Sequence, residues 1–213
     1  MKSTLFNMVA VLFTVTLIAS AGVGAVNMIT ADAIAAANAA ATTEAVANVL
    51  PAFEKTEVSE QTIDDIPIVV YTAIAGENVV GYAVESMTKN GFGGVIRMMV
   101  GFSPKGEILN VNILQQAETP GLGTKMAEED NKLLKSIKDK KAWEIEFKVK
   151  KDGGELDALT AATISSRAYY EAVERAYQAY KIACGYDDEA DGVSGATATN
   201  DEGQQAQEGG QNE

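Results

Sequence analysis

The chain has 213 residues, 17 Lys and Arg against 30 Asp and Glu, and a formal net charge of -13. That balance argues against nucleic acid or an anionic lipid surface as a partner. The absence of histidine removes His-ligated haem, most zinc catalysis and every Ser-His or Cys-His nucleophile, and the single cysteine, Cys184, allows neither an internal disulfide nor a metal-cluster set, so redox chemistry here needs an organic cofactor.

Residues 5–26 carry no charge, and about 20 apolar residues suffice to cross a bilayer as a helix. Signal-peptide cores run to about 7–15 residues. The length of this run therefore favours an uncleaved anchor over a signal peptide cut near Val23-Gly24-Ala25. Lys2 alone precedes it, a thin positive-inside signal that points the N-terminus to the cytoplasm. From Thr30 to Leu50 the chain is rich in Ala, the best helix former. A helical spacer ending at Pro51 is expected.

Two runs rich in β-branched and aromatic residues follow, 67–73 and 79–87, separated by Gly76-Glu77-Asn78. A glycine-rich turn over 91–94 leads into Val95–Phe102, and Ser103-Pro104-Lys105-Gly106 precedes Ile108–Leu114. Such close spacing predicts an antiparallel meander. Phe92 and the Met98-Met99 pair read as core.

Gln116-Ala117-Glu118-Thr119-Pro120-Gly121-Leu122-Gly123 contains a Pro-Gly turn, and its second glycine allows close backbone approach. On spacing alone it is a strand-to-helix loop. A charged amphipathic helix is expected over Lys125–Asp139, and Trp143–Val149 alternates apolar and charged like a half-exposed strand.

Residues 157–167 place Asp157, Thr160, Ala161, Ala162 and Thr163 immediately before a helical pattern, with apolar residues at 169, 172, 173, 176, 180 and 183. Thr163 therefore falls at a helix start, where unpaired N–H groups and the dipole favour a phosphate. On spacing alone the favoured reading is an ordinary cap, with Ser165 or Ser166 accepting from backbone N–H groups. Residues 187–213 hold acids, Gly, Gln and small residues with no Lys or Arg, a composition expected to be disordered. Within them Asp191-Gly192-Val193-Ser194-Gly195-Ala196-Thr197 repeats the spacing of 157–163.

The 157–163 stretch resembles the flavinylation motif of membrane-bound flavoprotein subunits: Asp, two residues, Ser or Thr, Gly, Ala, Thr. Glu118-Thr119-Pro120-Gly121-Leu122-Gly123 resembles the second signature of the same proteins, in the expected order. The family includes the G subunit of the Rnf electron-transport complex and the C subunit of the sodium-translocating NADH:quinone reductase. By resemblance, Thr163 would carry FMN through a phosphoester, attached by a separate flavin transferase using FAD and recognising Asp157. Thr160 and Ala162 complete the motif, and Glu118, Thr119, Gly121, Leu122 and Gly123 would lie in the FMN pocket. Ala161 replaces the usual Gly, at a cost on the order of 1 kcal/mol if the backbone there has positive φ. Gln116 stands where the family often has His. Thr197, whose motif keeps the Gly but has no following helix, is the second choice of attachment site.

The resemblance implies an α+β fold: a transmembrane helix, then an extracytoplasmic FMN-binding domain with an antiparallel sheet and flanking helices. The expected organisation is an anchor (1–28), a helical spacer (29–54), the FMN-binding domain (55–186) and an acidic tail (187–213). It also implies a single-pass inner-membrane electron carrier, with its domain on the periplasmic side and the other subunits of an Rnf-type complex as partners. That complex couples electron transfer between ferredoxin and NAD to ion movement, and the isolated chain is expected to run no catalysis. The alternatives are a quinone-reductase component of the C-subunit kind and an anchored binding module without redox activity.

Overall fold

In the computed structural model, which describes residues 5–185, one helix, α1, runs unbroken over Leu5–Val49, 45 residues. Apart from the partly buried Thr30 and Thr42, its residues are exposed until Ala45, Val46 and Val49, which are buried. The apolar run and the Ala-rich stretch thus form one rod, which ends before Pro51 as its missing N–H demands. The first part is long and apolar enough to cross a membrane.

Five strands follow: β1 Lys55–Ile63, β2 Ile66–Ala75, β3 Asn78–Gly91, β4 Gly94–Phe102 and β5 Ile108–Gln115. They form one antiparallel sheet in chain order. This is the expected meander with one strand added in front. β1 has no apolar alternation, because almost all of it is exposed. It joins β2 through Asp64 (φ 52°) and Asp65 (φ 60°), a two-residue turn whose twist suits a hairpin.

Register explains the two cores. Val70 pairs with Val84, Val84 with Val100, and Val100 with Val111, so one apolar row crosses four strands on a single face. Over that face lies α3, Thr163–Cys184, through Tyr169, Ala172, Val173, Ala176 and Tyr180. Tyr180 stacks on Phe102 at 5.0 Å and meets Tyr82 edge-on at 5.2 Å. The Ser86 hydroxyl donates to the Ala172 carbonyl at 2.8 Å. Each buried large apolar side chain contributes about 1.5–3 kcal/mol, so this interface holds α3 in place. On the opposite face Ala45, Val46, Val49 and Leu50 cover Ala73, Ala83 and Met99. The close contact needs glycine: a Cβ on Gly101 would lie 2.1 Å from the Val49 carbonyl oxygen.

Two expectations fail between β5 and α3. The helix expected over 125–139 is a 3-10 turn, Gly123–Ala127, then a short α2, Lys132–Ile137. Asn131 separates them: its Oδ1 accepts from the Leu134 N–H at 2.8 Å, and its Nδ2 donates to the Met126 and Glu128 carbonyls. A residue that caps one helix and holds the preceding turn cannot sit inside a continuous one. The strand expected over 143–149 does not form. Ala142–Glu144 is a 3-10 turn, and among the described residues Val149 makes only an isolated bridge, to Leu156. Alternation alone makes no strand where no sheet edge is offered; the start of β5 is already occupied by Lys140 and Lys141.

Candidate functional site

The chain reaches α3 through a turn closed by the Ala162 N–H donating to the Leu159 carbonyl at 3.1 Å. Ala161, its third residue, has φ 60°. A positive φ at that position is what a type II turn requires, so Ala161 carries the strain anticipated for it. The turn is pinned from behind by Ser166, whose Oγ accepts from the Leu159 N–H and donates to the Ala162 carbonyl.

Ala162 is the N-cap of α3 and supplies no side-chain acceptor. The expected serine cap is not present. Ser166 serves the turn, and Ser165 donates to the Glu118 carboxylate. The first amides of a helix have no intrahelical acceptor. Among the described residues none reaches the N–H of Thr163, Ile164 or Ser165. The Thr163 hydroxyl, half-buried as the first residue of α3, is likewise without a hydrogen bond among those residues.

A cavity of about 310 Å³ opens over this helix start, lined by Thr119, Leu122 and Gly123 on one side and by Ala161 to Ser165 on the other. The two signatures, some forty residues apart in sequence, thus form opposite walls. The Glu118 loop is shaped by a turn at Thr119–Leu122, where the Leu122 N–H donates to the Thr119 carbonyl and Gly121 has φ 75°. The Gly121 N–H also donates to Thr124 Oγ1 at 2.9 Å. Glu118 stands behind the cavity, 4% exposed. Its Oε1 accepts from the Gly93 N–H at 3.0 Å and its Oε2 from Ser165.

The remaining wall is Phe92, at the tip of the β3–β4 hairpin. Read as core from sequence, it is 66% exposed, whereas Met98 and Met99 are fully buried as expected. Ile164 (49%) and Leu122 (38%) are also exposed at the cavity. Sequence reasoning singles out neither Phe92 nor Ile164 as a site residue. A signal exists for Phe92, an aromatic flanked by Gly91, Gly93 and Gly94, where a tight tip has no interior to bury it.

Thr119, Leu122, Gly123, Ala162 and Thr163 therefore line one cavity; Gly121, Asp157 and Thr160 do not. Thr160 is exposed and borders a separate hollow beside α2. Asp157 receives Lys150 Nζ at 2.7 Å, and this hydrogen bond holds its carboxyl below the usual range. Its N–H donates to Ser136 Oγ, and its carbonyl accepts from the Tyr170 hydroxyl. Burial drives that hydroxyl's pKa well upward, so it remains a donor. Thr197 lies outside the described residues.

The cavity fits a flavin mononucleotide in kind. Unpaired amides at the positive end of a 22-residue helix suit a phosphate. An unengaged hydroxyl stands among them, and apolar side chains flank the opening for a planar ring.

Residues 91–178 match the FMN-binding domain family. The G subunit of the ion-translocating oxidoreductase complex of Shewanella amazonensis is 42% identical over 115 residues, 52% of this chain and 53% of that protein. The Shewanella baltica G subunit is 40% identical over 120 residues (53% and 54%), and a Haemophilus influenzae G subunit 38% over 109 residues (50% and 53%). The chain spans about half the length of the curated relatives it matches. The segment that supplies every wall of the cavity is thus the one that matches the FMN-binding domain family, and about half of the chain is similar to the G subunits of ion-translocating oxidoreductase complexes.

Proposed function

We propose that this chain is a membrane-anchored electron carrier that holds FMN covalently, through a phosphoester on Thr163, within an ion-translocating oxidoreductase complex. The observation that carries the reading is the single cavity walled by both signatures, with the Thr163 hydroxyl unengaged at the helix start. FMN supplies the redox chemistry when bound, and the protein's task is to position it. The N–H groups of Thr163, Ile164 and Ser165 would bind the phosphate oxygens. Phe92, Leu122 and Ile164 would flank the ring and exclude water from its faces.

Attachment needs an external flavin transferase, with FAD as donor. The bond from Thr163 Oγ to the FMN phosphorus forms as the pyrophosphate bond of FAD breaks. AMP leaves, and the threonine proton is lost to the transferase or to water. Asp157, near the surface ahead of Thr163, would be a recognition point for that enzyme. A tether raises the cofactor's effective concentration to the order of mM, which serves a domain outside the cytoplasm. On this reading α1 anchors the chain in the inner membrane with the domain on the periplasmic side. Its partners are the other membrane subunits of an Rnf-type complex, and the electrons run between ferredoxin and NAD.

The test is peptide mass mapping of the native chain, joined to in-gel flavin fluorescence after denaturation. The expected result is one flavin phosphoester on the peptide containing Thr163, abolished in Thr163→Val and retained in Thr197→Val. A colourless native chain at its unmodified mass overturns the reading and leaves an anchored binding module. Loss in Thr197→Val alone moves the attachment site to the tail.

A further inference from the structure

The cavity has three walls from three distant parts of the chain, and one side chain touches all three supports. Glu118 sits at the root of the loop that carries Thr119, Leu122 and Gly123. Its Oε1 takes the Gly93 N–H, next to Phe92, and its Oε2 takes the Ser165 hydroxyl, two residues from Thr163. The carboxylate is 4% exposed and has no cation within ion-pair distance among the described residues. A buried carboxylate held only by neutral donors is costly to keep, and nothing in the packing of the apolar core requires it. Space around it is kept open. A Cβ on Gly123 would lie 2.7 Å from Glu118 Oε2 and 2.9 Å from Ser165 Oγ, and one on Gly93 only 1.8 Å from the Ala117 carbonyl oxygen.

We infer that Glu118 is the positioning residue of the cavity: it braces the Phe92 hairpin tip against the start of α3 and so sets the width of the slot that receives the ring. The inference rests on the flavin reading for its purpose and on the two hydrogen bonds for its geometry. The brace needs two hydrogen-bonding directions at one point, an acceptor toward Gly93 and a partner for the Ser165 hydroxyl. A glutamine can satisfy both, with its carbonyl oxygen facing Gly93 and its amide donating to Ser165, whose hydroxyl can also accept. An alanine satisfies neither and leaves both donors unpaired.

The experiment compares the full chain in detergent with Glu118→Ala, Glu118→Gln and Ser165→Ala. Two readouts are taken: amide hydrogen exchange at the 91–94 tip in flavin-free protein, and visible-range circular dichroism of the attached flavin. In Glu118→Ala the tip exchanges about tenfold faster or more. The flavin stays attached by mass but loses its induced dichroism. Glu118→Gln restores both signals, and Ser165→Ala, which removes one tie only, weakens the dichroism while leaving the Gly93 amide protected. Unchanged exchange and dichroism in Glu118→Ala overturn the brace. So does a glutamine variant as defective as the alanine one, since a need for charge is then the role. If Glu118→Ala does not fold, Ser165→Ala decides by the same two signals. Absence of flavin from the parent protein defeats the covalent-FMN reading alone, because the exchange measurement still tests the brace.

Discussion

Val49 lays its backbone carbonyl over Gly101, so closely that a Cβ on the glycine would stand 2.1 Å from that oxygen. The last turn of α1 is thus seated on β4, and the Asn110 side-chain amide adds a hydrogen bond to the neighbouring Asn48 carbonyl at 3.0 Å. Replacing Gly101 with Ala forces the helix end off the sheet. The expected cost is that of overpacking, about 1–3 kcal/mol, read as a lower thermal midpoint. Limited proteolysis should then open the chain near Pro51 first.

Ala161 gives the opposite prediction. Its φ of 60° is a region that an L side chain enters at a cost. Ala161→Gly should raise stability by roughly 0.5–1 kcal/mol, measured by denaturant midpoint at constant slope. The flavin attachment proposed at Thr163 should persist, since the turn is relieved and not reshaped.

Phe92 is too exposed to matter much to folding. Phe92→Ala should leave the unfolding free energy within about 0.5 kcal/mol of the parent and keep the mass of the proposed flavin adduct. Its effect should appear in the cofactor, as a shifted flavin emission maximum once water reaches the ring face that Phe92 covers. An unaltered emission spectrum would remove Phe92 from the ring's surroundings.

Acid should unfold the domain through its paired carboxylates. At Glu171 burial opposes ionisation, but hydrogen bonds from Asn90, Arg175 and Thr88 outweigh it and hold the pKa below the usual range. The Arg167 hydrogen bond does the same for Asp152, and Lys150 for Asp157. A carboxylate with a depressed folded pKa stabilises above its unfolded value of about 4 and loses that contribution as pH falls through the folded one. The thermal midpoint should therefore hold from about pH 7 down to about pH 5 and then fall steeply. Glu171→Gln should be less stable at neutral pH and show a shallower acid slope.

What the sequence reveals depends on how far each element's partners are local. The valines of β2 to β4 and the 3.6-residue pattern of α3 announce a buried face by themselves, so the meander and the last helix are legible. β1 is not, since Lys55–Ile63 buries almost nothing and is a strand only because β2 offers it an edge. The reverse holds for Trp143–Val149, which has the alternation of a strand but no edge to join. The 125–139 pattern fails for a third reason: Asn131 turns its side chain back on the backbone, and periodicity is blind to that choice. At the cavity, the two motifs mark opposite walls, Thr163 on one and the loop after Glu118 on the other. The hairpin tip that completes the cavity comes from residues whose relevance appears only when β3 and β4 pair.

Because α1 is one unbroken helix whose last turn is fixed to the sheet, its apolar segment and the domain share a single rigid axle. Each residue of that axle advances the domain by about 1.5 Å and swings it by roughly 100°. Deleting two residues from the Ala-rich stretch would therefore turn the cavity mouth to nearly the opposite compass bearing at almost the same height. Deleting seven would shorten the stalk by about two helical turns and leave the bearing nearly unchanged.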